Sequence, residues 1–339
     1  MNDSPKNEKL EKRNAIILSS GAYVPDNVVS NIFFNNLLGE DVDTWLRENV
    51  QIYERRWCSE NESTADLVEK ACVKAMENAN ITPEDIDLLI IATDTPEYIS
   101  PSTASVIQDR LGLINAGTFD VNSACAGFVT ALDIAVKYIQ SDTQYKYILV
   151  VGAYTMSKYL NKMDKKTATL FADGAGAVVV GSTMEARGFI SSKLSTKGEY
   201  NSWMGIYGGA SHLPMNVEVI QNHDHQLKFV KKIPTAINPA VWSKMILDLC
   251  EKEGISVHDI NHFFLTQINI NSIFQTMDIL GVERSKAATI MHYYGYTGSA
   301  CIPMAFDEWM QKGRVQAGDI VCFVGSGGGL AFGASLFKM

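Results

Sequence analysis

The chain has no long apolar run: its longest, Leu88 to Ala92 and Ile148 to Val151, are strand-sized, whereas a bilayer-spanning helix needs about 20 apolar residues. A membrane partner is therefore excluded. It also lacks a basic block. Lys plus Arg number 29 against 38 Asp plus Glu, a net charge of −9, so nothing is arranged to neutralise a phosphate backbone and nucleic acid is excluded as a partner. The six cysteines, Cys58, Cys72, Cys125, Cys250, Cys301 and Cys322, show no C-x-x-C spacing and no nearby His cluster. That pattern argues against a disulfide framework and a structural zinc. His223-Asp-His225 offers two ligands without a third, so no metal is expected. No apolar h-region follows the polar stretch Met1 to Arg13, and the expected compartment is the cytoplasm.

What is present is a composition suited to a compact protein with a large core: 46% hydrophobic and 20% charged over 339 residues. One pattern occurs twice. Ile81-Thr-Pro-Glu-Asp-Ile-Asp-Leu-Leu-Ile-Ile-Ala-Thr93 matches Ile255-Ser-Val-His-Asp-Ile-Asn-His-Phe-Phe-Leu-Thr-Gln267 in its placing of Ile, Asp and the apolar run. Helical spacing precedes each copy (65–79 and 242–252), and a short helix ending at a Gly follows each (105–112 and 272–281). The unit in both halves reads helix, strand, helix, strand. Further apolar strands bounded by Gly are expected at 147–152, 175–181 and 319–325. Such runs alternating with helices imply sheets buried on both faces. The economical architecture is α/β with two similar halves, 1–183 and 184–339, and residues 184–236 read as insertion and loop.

The most informative segment for chemistry is Asp120-Val-Asn-Ser-Ala-Cys-Ala-Gly-Phe128, where small residues surround Cys125 and a helical pattern begins directly after it. A thiol on a sharp strand-to-helix turn is presented to a substrate, and a helix N-terminus favours the nucleophilic thiolate. The same residues also suit a small buried cysteine at a helix start. Gly327-Gly-Gly329, taken alone, is a turn between apolar segments.

Ser123-Ala-Cys-Ala-Gly-Phe128, Phe171-Ala-Asp-Gly-Ala-Gly-Ala177 and Gly325-Ser-Gly-Gly-Gly-Leu-Ala-Phe-Gly-Ala334 occur in one order with Gly21-Ala-Tyr-Val-Pro-Asp26, Pro101-Ser-Thr-Ala104 and the Tyr294 to Pro303 segment. Together they resemble β-ketoacyl-acyl-carrier-protein synthase III of the thiolase superfamily, over the chain from about Ala15 onward. The resemblance implies a thiolase-like five-layered αβαβα fold built from two duplicated halves. It implies acyl transfer through a thioester on Cys125, with the backbone N–H groups of Cys125 and Gly328 as oxyanion hole. It implies no cofactor beyond an acyl-CoA or phosphopantetheine-linked substrate, an acyl-carrier protein as partner, and a homodimer or a heterodimer with a paralogue. Trp45 falls on the family's adenine-stacking tryptophan, while Asn49 replaces an arginine. The loop Thr95 to Pro101, with Tyr98 and Ser100, corresponds to the segment that closes the partner's acyl pocket.

Two further positions depart from the family pattern. The His-Gln-Ala-Asn segment reads Thr266-Gln-Ile-Asn269, and Gly-Asn-Thr reads Gly295-Tyr-Thr297. Thr266 and Tyr296 thus replace the His and Asn that serve decarboxylative condensation. Their hydroxyls donate hydrogen bonds, but neither is a base near neutral pH. His292 is the one histidine near these motifs and stands as a candidate base, with Asn269 a candidate substrate contact. Cys301, in a second Ser-Ala-Cys, is expected to be inert. The function implied is acyl transfer from acyl-CoA or acyl-carrier protein in fatty-acid-like or polyketide synthesis. The alternatives are full decarboxylative condensation and a non-catalytic subunit. Arg55, Arg56, Lys162, Lys165 and Lys166 are expected to supply positive charge toward a carrier.

Overall fold

The computed structural model describes residues 13–339, so the reading of Met1 to Lys12 as a polar segment without a leader lies outside the described residues. The repeated Thr/Ser-x-x-Asp turns are capping boxes. Thr82 N donates to Asp85 Oδ2 at 2.8 Å and Ser256 N to Asp259 Oδ2 at 2.9 Å, closing a single 3₁₀ turn before each buried strand. The repeat is thus a local device for turning a helix into a strand.

Five strands form the first sheet: β1 (Asn14–Tyr23), β2 (Leu88–Ala92), β3 (Gly117–Val121), β4 (Tyr147–Thr155) and β5 (Asp173–Thr183), in the order β1-β5-β4-β2-β3. β2 runs parallel to β3 and β4; β5 runs antiparallel to β4 and β1. The second sheet contains β6 (Gly188–Thr196), β7 (Ile260–Leu265), β8 (Ile320–Gly327) and β9 (Ala331–Lys338), in the order β7-β8-β9-β6. Helices α1 (Thr64–Ala79) and α2 (Thr103–Leu111) cover the outer face of the first sheet. Helices α3 (Gly127–Ser141) and α6 (Cys301–Gln311) pack against both sheets, and α4 (Ile237–Glu253) with α5 (Ile270–Leu280) covers the second. The layers are α, β, α, β, α, the thiolase-like arrangement from two duplicated halves.

Alternation explains why the strands are apolar throughout. Leu88, Ile90 and Ala92 face the central helices, whereas Leu89 and Ile91 face α1 and α2, so both faces of β2 are buried. α3 lies between two sheets, and Phe128, Val129, Ala131, Leu132, Ala135, Val136 and Ile139 are all buried. That stripe is wider than a surface helix shows. α2 and α5 end at Gly112 (φ 66°) and Gly281 (φ 68°) in left-handed caps, as the spacing predicts.

Two expectations are corrected. The stretch 184–236 is not all loop, because β6 forms the edge of the second sheet against β9. Its outer end is polar and exposed, with Lys193 among its residues, which blunts an edge strand and hides it from a hydrophobicity pattern. The last strand of the second repeat is reduced to a single bridge, Phe263 to Ala287. The Gln267 side chain takes the place of a ladder there, with Nε2 donating to Leu265 O and Ala288 O and Oε1 accepting from Ile290 N. No helix among the described residues is long and apolar enough to cross a membrane.

Candidate active site

β3 ends at Val121 and α3 begins at Gly127, leaving Asn122 to Ala126 to reverse the chain. Ala124 adopts φ 45°, a left-handed conformation rare for a residue with a Cβ. The turn is held by Asn122 Oδ1 accepting from Ala124 N, Ala126 N donating to Ser123 O, and Gly127 N donating to Ala124 O. Cys125 therefore sits on the sharp turn that its small neighbours predict. It is not surface-exposed: at 1% exposure it lies at the floor of a cavity of about 820 Å³. The end of β8 runs against this turn. A Cβ on Gly327 would lie 2.6 Å from Cys125 N and 2.7 Å from Ser123 O, so only glycine permits the approach.

The hydroxyls of Tyr296 and Tyr154 both act on the Cys125 thiol, each lowering it. Tyr296 is pinned through its backbone, its N donating to Leu170 O at 2.8 Å and its O accepting from Ala172 N at 2.9 Å. Its ring centroid lies 5.3 Å from that of Phe171. Tyr154, near the end of β4, packs under the turn at Gly298, where φ is 48° and a Cβ would come within 2.4 Å of the ring. Burial pushes the Cys125 thiol well above its ordinary range and the nearby Asp94 adds to this, while the tyrosine hydroxyls pull it back.

The other candidates divide. Trp45, 56% exposed, Asn269 and Tyr296 line the cavity together with Cys125. Asn269 caps α5, its Oδ1 accepting from Asn271 N at 2.9 Å. Thr266 is buried behind the cavity wall, where its Oγ1 accepts from Ser326 N at 2.8 Å. His292 does not line the cavity: its Nδ1 lies 2.7 Å from Gln51 O and its ring stacks on Tyr53. Gly328 follows Gly327 in the turn that abuts Cys125, and a Cβ there would lie 4.0 Å from that of Ala124. Tyr98 and Ser100 stand on an exposed loop away from this cavity. Cys301 is fully buried, and burial raises its thiol.

Arg55 is not a surface cation. Fully buried, it donates to Val29 O, Asn31 Oδ1 and Thr169 O, which ties the segment carrying the cavity mouth to the loop before β5. Lys165, Lys166 and Lys232 stand at the cavity rim, with Lys165 paired to Glu40 at 2.8 Å. Tyr154 and Asp94 were not singled out from the sequence. The signal that could have found them is the rule that sites in α/β folds form at the carboxyl ends of strands. No group of three or more His, Cys, Asp or Glu side chains suited to a metal occurs among the described residues.

Two family models match the chain. Residues 119–198 match 3-oxoacyl-[acyl-carrier-protein] synthase III, and residues 250–339 match the C-terminal part of the same family. The β-ketoacyl-[acyl-carrier-protein] synthase III of Staphylococcus epidermidis is 38% identical over 96% of this chain and 99% of its own length. The chain belongs to the 3-oxoacyl-[acyl-carrier-protein] synthase III family. The synthase III of Clostridioides difficile is 36% identical over 95% of the chain and 97% of its own length. Among solved structures, synthase III of Aquifex aeolicus superposes with a TM-score of 0.88 at 29% identity, covering 96% of this chain and 100% of its own. A priming β-ketosynthase of a polyketide biosynthetic pathway superposes at 0.89 with 26% identity and 97% of both chains covered. Within the synthase III fold, both departures from the motif pattern lie around Cys125: Tyr296 lines the same cavity, and Thr266 braces the strand whose glycines abut it.

Proposed function

We propose that this synthase III-type acyltransferase accepts an acyl group on Cys125 from an acyl-CoA or acyl-carrier-protein thioester and passes it to a second substrate in fatty-acid or polyketide synthesis. The observation that carries this reading is Cys125 at the floor of the 820 Å³ cavity, with Trp45 and the lysines Lys165, Lys166 and Lys232 at its mouth. A phosphopantetheine arm lies along such a channel, its phosphate near the lysines, its thioester at the thiol and its amides within reach of Asn269. The N–H groups of Cys125 and Gly328 receive the developing oxyanion, a role supported by the contact between the glycine turn and the nucleophile turn.

Tyr296 stands where a condensing member has Asn, and its hydroxyl pulls the Cys125 thiol down. With Thr266 engaged by Ser326, the cavity has no imidazole for malonyl decarboxylation, which favours acyl transfer over condensation. The working form is a homodimer. This is supported by the exposed loop with Ile99, 87% exposed, and by the half-exposed edge strand β3, which pairs with β2 alone. Intact-protein mass spectrometry with a panel of acyl-CoAs and acyl-carrier proteins tests the reading, and native conditions read the dimer. The expected result is a mass gain that Cys125→Ala abolishes. No gain with any donor points to a non-catalytic subunit, and carbon dioxide released from a malonyl thioester by the loaded enzyme restores condensation.

A further inference from the structure

The cavity above Cys125 opens through a mouth that carries charge of both signs. Glu40, Asp41, Lys165, Lys166 and Lys232 line it and are all exposed, so three lysines face two carboxylates and the balance is one positive charge. Lys165 Nζ is engaged by Glu40, donating to its two carboxylate oxygens at 2.9 and 2.8 Å. Lys166 and Lys232 make no ion pair among the described residues. They are the cations that this mouth offers to an incoming phosphate.

Around Trp45 the charge is negative and the cation is taken. Asp41 accepts from Thr44 N at 3.2 Å, from Thr44 Oγ1 at 2.7 Å and from Asn35 Nδ2 at 3.3 Å. Thr44 directly precedes Trp45, so a fixed carboxylate stands beside the exposed tryptophan of the mouth. The hydroxyl and N–H of Thr44 hold that carboxyl below the usual carboxylate range. Arg47, on the same short helix Asp43–Asn49, is held by both oxygens of Asp43 at 2.8 Å and lies 4.9 Å over the Tyr53 ring. Asn49 Nδ2 donates to Trp45 O at 2.9 Å, and Asn49 O accepts from Asn271 Nδ2 at 2.7 Å. That helix therefore presents no uncommitted cation to a nucleotide stacked on Trp45.

Two donors deliver the same pantetheine thioester with different charge. CoA adds a diphosphate and a 3′-phosphate monoester, about four negative charges near neutral pH, whereas a carrier protein adds one phosphodiester, about one charge. The mouth balances the second and not the first. We propose that the donor that loads Cys125 is a pantetheine thioester carried on a protein, and that Glu40 and Asp41 select against CoA by repelling its nucleotide phosphates from Trp45. The inference rests on the reading of Cys125 as the acyl-accepting nucleophile. Lys166 and Lys232 receive the phosphodiester and acidic side chains of the carrier around it. Trp45, 56% exposed, then packs against protein surface, the setting in which tryptophan contributes most to binding. Repulsion between exposed charges is screened by salt, which gives the selection a signature of its own.

Isothermal titration calorimetry tests this with three unacylated ligands: CoA, 3′-dephospho-CoA and the phosphopantetheinylated form of an acyl-carrier protein of fatty-acid synthesis. At about 20 mM salt, 3′-dephospho-CoA is expected to bind on the order of fivefold more tightly than CoA, and the gap closes at about 0.5 M salt. Glu40→Gln combined with Asp41→Asn narrows the gap at low salt by tightening CoA; the comparison of the two nucleotides on the wild type carries the test alone if that variant does not fold. Lys166→Glu combined with Lys232→Glu weakens the carrier protein on the order of 10-fold. CoA binding more tightly than its 3′-dephospho form overturns the proposal, because the protein then holds the 3′-phosphate. A carrier affinity unmoved by the lysine changes also overturns it. Binding is read without acylation, so a protein that no donor loads defeats the reading of Cys125 while these affinities still decide which donor the mouth is built for.

Discussion

Thr266 occupies a position that the motif pattern assigns to chemistry, and the structure gives it to the backbone. Its Oγ1 accepts from Ser326 N, and both residues are buried. Thr266→Val keeps the shape and removes the acceptor, leaving a buried N–H without a partner, a loss of about 1–2 kcal/mol. Chemical denaturation is expected to show that loss while acyl loading of Cys125 stays within about threefold of wild type, because Thr266 does not line the cavity. Equal stability with abolished loading would return Thr266 to the reacting groups. Tyr296 is the opposite case, a departure that lines the cavity together with Cys125. Sequence position alone does not separate these two substitutions. The difference lies in where a hydroxyl on each backbone can reach.

The glycine turn after β8 and the turn before α3 act as one element pair, because each occupies space the other needs. Gly327→Ala places a methyl 2.6 Å from Cys125 N, so one backbone has to shift, at about 1–3 kcal/mol for overpacking. Displacing the N–H groups of Cys125 and Gly328, the proposed oxyanion donors, is expected to lower acyl loading on the order of 100-fold, as removing one such donor does. Rapid-quench mass spectrometry of the mutant reads it, and a wild-type rate would separate the glycine turn from the site. At this scale most of the fold is readable from residues: the capping boxes before β2 and β7, the glycine caps of α2 and α5, and the Gly-bounded strands all follow local rules. β6 is not, because an edge strand with Lys193 exposed carries half an apolar pattern. The last strand of the second repeat is not either, because the Gln267 side chain replaces its ladder. The Cys125 turn was visible in its small residues. Asp94 and Tyr154 were not, since they act on Cys125 only across the fold.

Charge over the whole molecule sets an unusual pH window for stability. Asp94 and Asp173 have their carboxyls raised from 3.8 to about 6, burial being the chief cause in each. Asp173 keeps this shift despite accepting from Cys58 N, Ser157 N and Ser157 Oγ. A carboxyl raised in the fold contributes stability that is fully present below its unfolded value of about 4 and lost as pH rises through about 6. For either group that is about 1–3 kcal/mol. Other carboxyls pull the opposite way. Thr82 lowers Asp85 through its N–H and hydroxyl, and Lys193 with Lys244 lowers Asp248, so their contribution is present above about pH 4 and lost as pH falls through their folded values. Self-repulsion of a chain with net charge −9 at pH 7 adds to the alkaline decline. The unfolding midpoint, followed at fixed ionic strength, is therefore expected to peak between about pH 4 and 6 and fall toward pH 8. Asp94→Asn should match the wild type near pH 4 and exceed it at pH 8. Parallel curves for the two proteins from pH 4 to 8 would mean that Asp94 is as well solvated in the fold as in the unfolded chain.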